Sequence, residues 1–315
     1  MPAGPAGAGR DRVLVVGMDG LRHDRLARSP APAPVLHALM AAGAHGTSLL
    51  PYGETDGQAE GGPTTSMAYT DSGPGWSSVL TGVWPDRHGV TGNDFRGADY
   101  GRHPDFLSRA AAAGLRTAAV VSWPELVHRG TLGPAVGHRI HFDGERDGYR
   151  AADDLVARAA VRRLTAYDPH LLFVHFGGTD EAGHATGPLS PAYDAALLAQ
   201  DTHLGRLLAA IDARPSTERW TVLVTTDHGH LDSGGHGGDT RAEREVFVVV
   251  AERGTPRPPG GTLLDAPRLI DVAPTVLDRL GVPVDPAWGW EGRVLPRPAT
   301  SPSSSFSPDT SPSSA

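Results

Sequence analysis

The sequence predicts an α/β domain with a largely parallel central sheet flanked by helices. Short apolar runs rich in Val, Leu and Phe recur between longer segments of helical period, the pattern of strands buried on both faces and covered by helices. Several of these runs end in polar residues, and open α/β sheets place their sites at the carboxyl ends of strands. At 315 residues the chain is long enough to bury a sizeable core in one domain.

In chain order, Met1 to Asp11 is Ala/Gly/Pro-rich and expected to be flexible, and Arg12 to Met18 is the first strand. Pro34 to Ala42 has helical period. Pro51 to Tyr69 is Gly-rich and polar without a clear period, which predicts a mobile loop. A segment able to start a helix follows Ser72, with Pro74 suited to its first turn. Helices are then expected over Pro104 to Ala113, Arg150 to Tyr167, Pro191 to Ala213 and Val272 to Leu280. The third of these carries Leu197, Leu204, Leu208 and Ile211 on one face. Strands are expected at Thr117 to Ser122, His170 to Gly177, Trp220 to Thr226 and Glu245 to Glu252. From Pro296 the chain becomes a Ser/Pro tail that cannot bury enough surface to offset its ordering entropy. The folded domain is therefore expected to span residues 12–295, with 296–315 disordered.

Composition removes several function classes. With no Cys there is no disulfide, thiolate metal site or thiol nucleophile, so any metal must be held by His and carboxylates. A formal charge of −8 and the lack of a basic cluster argue against a nucleic-acid partner. All 28 basic residues are Arg, the mark of a GC-rich genome. The N-terminus lacks the basic start and apolar core of a signal peptide, and no apolar run is long enough to span a bilayer. A cytoplasmic location without a membrane role is the expectation.

The chemistry-bearing residues follow the strands. Asp19 ends VLVVGMDG. Asp180 and His184 stand four residues apart after LLFVHFGG, so a helical turn would face both toward one ion. Asp227 and His228 are adjacent at the end of WTVLVTTDHGH, and His236 follows within GGHGG. Glycines let the backbone approach an ion, and imidazole with carboxylate suits Zn²⁺, Mn²⁺ or Fe. Ser72, ahead of Gly-Pro-Gly, would sit against free backbone N–H groups, a favourable place for a phosphoryl oxygen; capping of a helix is the plainer alternative. Of fifteen histidines three enter this set. His175 reads as a packed core residue and His230 as a group behind a ligand; His88, His103, His128, His138 and His141 read as loop or surface residues.

Taken in order, these pieces resemble the alkaline phosphatase superfamily and, within it, the type I phosphodiesterase/nucleotide pyrophosphatase family. The match runs from Arg12 to Leu295. It includes Pro74, Ser78, Thr81 and Gly82 behind the nucleophile position, Trp84 to Gly89 after it, and the closing IDVAPTVLDRLGVPV with EGRVL. The resemblance implies an alkaline-phosphatase-like fold and Ser72 as nucleophile. It implies two divalent ions, a Zn²⁺ pair with Mn²⁺ or Fe also compatible. One would be held by Asp180, His184 and His236, the other by Asp19, Asp227, His228 and Ser72. Asn93 falls on the family's donor to the phosphoryl group. Gly75 stands where the family has Asn, and Ser72 where nucleotide pyrophosphatases usually have Thr. Trp76 replaces the Arg that sulfatases need, which disfavours a sulfatase.

The resemblance thus implies hydrolysis of a small-molecule phosphodiester or pyrophosphate, such as a nucleotide derivative, through a phosphoseryl intermediate. A phosphomonoesterase of a small metabolite is the alternative, and an inactive metal- or ligand-binding module a more remote one. A phosphoglycerate-mutase-like isomerase is disfavoured because that group carries a large inserted domain. Specificity is expected in Pro51 to Tyr69 and Val127 to Gly148.

Overall fold

The computed structural model describes residues 11–28, 32–52, 67–254 and 261–297. Most of the N-terminal segment, residues 53–66 of the loop expected before Ser72, and residues 298–315 of the Ser/Pro tail lie outside these residues. Eight strands form one sheet in the order β4-β3-β5-β1-β6-β7-β2-β8. They are β1 (Asp11–Met18), β2 (Ala44–Leu49), β3 (Thr117–Val121), β4 (His138–His141), β5 (Leu171–Phe176), β6 (Arg219–Thr225), β7 (Glu245–Arg253) and β8 (Thr262–Leu263). Only β7 runs against the rest. The expected α/β class with a largely parallel sheet is what the chain adopts.

Successive side chains of a strand point to opposite faces, and the apolar strands feed two separate core layers. Val13, Val15, Phe173 and Leu223 face the helices Ser72–Thr81 and Val272–Arg279. Leu14, Val16, Leu172, Val174, Val222 and Val224 face Tyr149–Arg162 and Pro191–Asp212, the latter through Leu197, Leu204, Leu207 and Leu208. The expected helix over Arg150 to Tyr167 ends its α-helical part at Arg162 and continues as a π turn over Arg163–Tyr167. Two short edge strands and β2, which the sequence reading left out, complete the sheet; His138 and His141 begin and end β4. Among the described residues no helix is long and apolar enough to cross a membrane.

Candidate active site

The carboxyl ends of β5, β1 and β6, neighbours at the centre of the sheet, converge on one spot. Asp19 follows β1. Its backbone N–H donates to Phe176 at 2.9 Å, and its carbonyl accepts from the Thr179 hydroxyl at 2.6 Å, which fixes the turn against the end of β5. Its carboxylate Oδ2 accepts from the Trp76 indole N–H at 2.8 Å and faces His175 Nε2 at 3.0 Å. A Cβ on Gly17 would fall 2.3 Å from the Trp76 ring, so only glycine lets the indole lie against β1 in this way. Oδ1 is left toward Ser72, whose Oγ–H donates to it at 3.3 Å. Burial alone would raise the Asp19 carboxyl, but the His175 contact, the His228 ring and the indole more than offset it and hold the group well below the usual carboxylate range.

Asp227 and His228 follow β6. The Gly20 N–H donates to Asp227 Oδ1 at 3.1 Å, while the fully buried Oδ2 has no hydrogen-bond partner and lies 3.3 Å from His228 Nε2. The Nδ1 of His228 is taken up by the Gly229 carbonyl at 3.0 Å, so Nε2 is its free nitrogen, 3.2 Å from Ser72 Oγ. Burial and the nearby Asp19 charge raise Asp227, and burial and the His236 ring lower His228. A cation among these groups would favour the ionised carboxylate and the neutral imidazole together.

Asp180 and His184 occupy the helix Gly178–Thr186, four residues apart on one face as expected, with Oδ2 and Nε2 at 3.5 Å. His236 Nε2 approaches Asp180 Oδ1 at 3.6 Å and His184 Nε2 at 2.9 Å, and its ring stacks on His228 at 3.9 Å. Its Nδ1 meets the Thr70 carbonyl at 2.7 Å and Asp71 Oδ1 at 3.3 Å. Burial depresses His184; it opposes the upward pull of Asp71 and Asp180 on His236, which prevails.

These residues fit a metal ion. The ligand atoms of Asp180, His184 and His236 lie within 4.8 Å of one another, as do those of Asp19, Asp227 and His228. Buried Oδ1 of Asp180 and Oδ2 of Asp227 lack hydrogen bonds, and the Nε2 atoms of His184 and His236 stand 2.9 Å apart. An unpaired buried carboxylate is costly, and a cation relieves it. Asp180, His228 and His230 form a third such group. His228 has one free nitrogen, so it serves one group at a time.

Ser72 is the first residue of its helix, and Asp71 stands at the cap position, which displaces the reading of Ser72 as a cap. The expected array of free N–H groups is smaller than anticipated: the Gly73 N–H donates to Asn93 Oδ1 at 2.7 Å, and Pro74 has none. That same bond fixes the Asn93 amide so that its NH₂ remains available as a donor. Gly75 is explained by packing, because a Cβ there would meet Asp227 Cβ at 2.7 Å. The Asn that the family carries at this position does not fit here.

Four histidines gain a role or a place that sequence reasoning did not give them. His175 is buried as expected, but it holds Asp19. His230, read as a group behind a ligand, lies 3.0 Å from Asp180 Oδ1. His88 and His103 are buried rather than on the surface; His88 meets the Ser78 hydroxyl at 3.1 Å and accepts from the Val90 N–H at 3.1 Å. Trp76, noted only for what it replaces, holds Asp19. The one signal in the sequence was polar residues inside apolar runs, His175 within LLFVHF above all.

Residues 13–237 match the family described as Type I phosphodiesterase / nucleotide pyrophosphatase. A 2,3-bisphosphoglycerate-independent phosphoglycerate mutase of Haloquadratum walsbyi is 33% identical over 129 residues, 40% of this chain and 24% of the mutase. The chain thus spans about a quarter of that relative's length. An inactive murine ectonucleotide pyrophosphatase / phosphodiesterase 5 in complex with AMP superposes with a TM-score of 0.63 at 15% identity, over 88% of this chain and 96% of that one. A putative sulfatase from Bacteroides thetaiotaomicron superposes with a TM-score of 0.66 at 12% identity, over 90% of this chain and 73% of that one. These two structures share the fold.

Proposed function

Because the chain belongs to the type I phosphodiesterase/nucleotide pyrophosphatase family, we propose that it is a metal-dependent hydrolase of phosphate esters, with Ser72 as nucleophile. The observation that carries this reading is the position of Ser72 Oγ, 3.3 Å from Asp19 Oδ1 and 3.2 Å from His228 Nε2, against one of the groups of His and Asp that could hold an ion. Asp180, His184 and His236 would hold one divalent ion, and Asp19, Asp227, His228 and Ser72 a second. Zn²⁺ suits this donor set best, and Mn²⁺ or Fe are compatible. Such ions lower the pKa of a bound hydroxyl and stabilise the entering and leaving oxygens of an in-line displacement.

This chain's residues supply the rest. Asp19, held at Oδ2 by Trp76 and His175, presents Oδ1 to the Ser72 hydroxyl and accepts its hydrogen bond. Ser72 Oγ gives up its proton to solvent as it bonds to phosphorus and the bond to the leaving oxygen breaks, that oxygen taking a proton from solvent; water then hydrolyses the phosphoseryl group, releasing the phosphate product and restoring the Ser72 hydroxyl. Asn93, its amide oriented by the Gly73 N–H, donates to a non-bridging phosphoryl oxygen.

The substrate is read as a phosphodiester or pyrophosphate of nucleotide type; AMP, bound in the murine relative, is the monoester that such a cleavage releases. A terminal phosphate dianion calls for a guanidinium. Arg22, the arginine against His230, is already committed to Asp24, Asp232 and the His230 carbonyl, which favours the diester.

Turnover of bis-p-nitrophenyl phosphate against p-nitrophenyl phosphate by Zn²⁺- or Mn²⁺-loaded protein tests this. Faster diester turnover, abolished by Ser72→Ala and by a chelator, is expected. Faster monoester turnover would give a phosphatase, and no turnover of either with metal bound would sink the reading.

A further inference from the structure

We propose that Thr70 and Asp71 are a positioning pair that ties the segment before Ser72 to the ion site of Asp180, His184 and His236 and holds His236 ready as a ligand there. The inference rests on the two-ion reading above.

Two consecutive residues grip three others about 166 positions further along the chain. The Thr70 carbonyl accepts from His236 Nδ1 at 2.7 Å, and Asp71 Oδ1 lies 3.3 Å from the same nitrogen. The Thr70 hydroxyl donates to the Gly238 carbonyl at 2.8 Å and accepts from the Gly237 N–H at 3.0 Å. On its other side, Asp71 offers its carbonyl to the Gly75 N–H at 3.0 Å, closing the first turn of the helix that begins with Ser72.

Two consequences follow. With Nδ1–H directed at a carbonyl and a carboxylate, the lone pair of His236 must reside on Nε2, the atom that faces His184 and Asp180; a carboxylate behind an imidazole also makes it a more basic ligand. The second consequence is mechanical. Ser72 belongs to the Asp19, Asp227 and His228 group, whereas the segment just before it is fastened to a ligand of the other group. A brace serving the fold alone would gain nothing from a carboxylate on the imidazole, and Asp71, with its side chain 31% exposed, could instead face water.

The test is a Zn²⁺ titration in competition with a chromophoric chelator, on the full chain and its Asp71→Asn, Thr70→Val and Thr70→Ser variants, with thermal melting of the metal-free proteins alongside. Asp71→Asn and Thr70→Val are expected to weaken one of the two sites about 10- to 100-fold while the other stays within about threefold, and Thr70→Ser, which keeps the hydroxyl, to restore it. Unchanged affinity at both sites in Asp71→Asn would overturn the proposal. Equal weakening of both sites together with a lower melting temperature would do so too, since that is the mark of a purely structural brace. A wild-type protein that binds fewer than two ions would instead overturn the two-ion reading itself.

Discussion

His175 Nε2, within β5, lies 3.0 Å from the Asp19 carboxylate, just beyond β1. Because a carboxylate accepts, this nitrogen must carry the proton. The His175 ring also packs edge-on against Trp76 at 4.9 Å, so the two donors to Asp19 brace each other. His175→Leu removes one donor. Retention of Zn²⁺ after dialysis should drop by about one ion equivalent as that group loses about 10- to 100-fold in affinity, while His175→Gln, which keeps an N–H, recovers part of it. Full retention in the Leu variant would deny His175 this role.

Gly75 leaves no room for a side chain against Asp227. In Gly75→Ala the added methyl, 2.7 Å from Asp227 Cβ, must push the helix and the strand end apart. Overpacking of this kind costs about 1–3 kcal/mol, and here it also displaces a proposed ligand. A lower melting temperature and diester kcat/KM reduced at least about tenfold are expected. Kinetics equal to wild type would show that the contact relaxes freely.

Asn93 is expected to act only once charge develops on the phosphoryl oxygens. Asn93→Ala should lower kcat by about 10²- to 10³-fold, as removal of an oxyanion donor does elsewhere, with metal content unchanged. A change confined to KM would make it a binding residue instead.

His88 gives the fold a pH dependence with a definite sign. Burial, reinforced by His103, pushes its imidazole down to about 3. The unfolded chain therefore takes up the proton first. Stability from this group is complete above about pH 6.5 and is lost as pH falls from there toward 3, by roughly 1.4 kcal/mol per pH unit at most. Melting temperature against pH should fall less steeply over this range in His88→Gln than in the wild type. Parallel curves would place the acid sensitivity elsewhere.

The sequence made the middle of the sheet legible and its borders obscure. β1, β3, β5, β6 and β7 are runs of Val, Leu, Ala and Phe buried on both faces, and such runs announce themselves. β2 reads AHGTSL and β4 reads HRIH; both are partly exposed, and neither carries an apolar run or a clear alternation. The helix Ser72–Thr81 was recognisable only at its start, because it is buried on every side and so has no polar face to reveal its period. Asp19, Asp180, His184, Asp227, His228 and His236 could be picked out because each follows a strand, and the structure brings them together in groups of ligand type. Trp76, His175 and Asp71 could not, since their roles depend on contacts between segments far apart in sequence.

The two proposed ligand groups rest on the ends of three adjacent strands in the interior of the sheet, while the stretch from Val127 to Gly148 contains its outermost strand, β4. The proposed ligands and this stretch, one of the two where specificity is expected, thus occupy different parts of the scaffold. Randomising the connections on either side of β4 would leave every proposed ligand untouched, and an unchanged leaving-group preference across such a library would place specificity elsewhere.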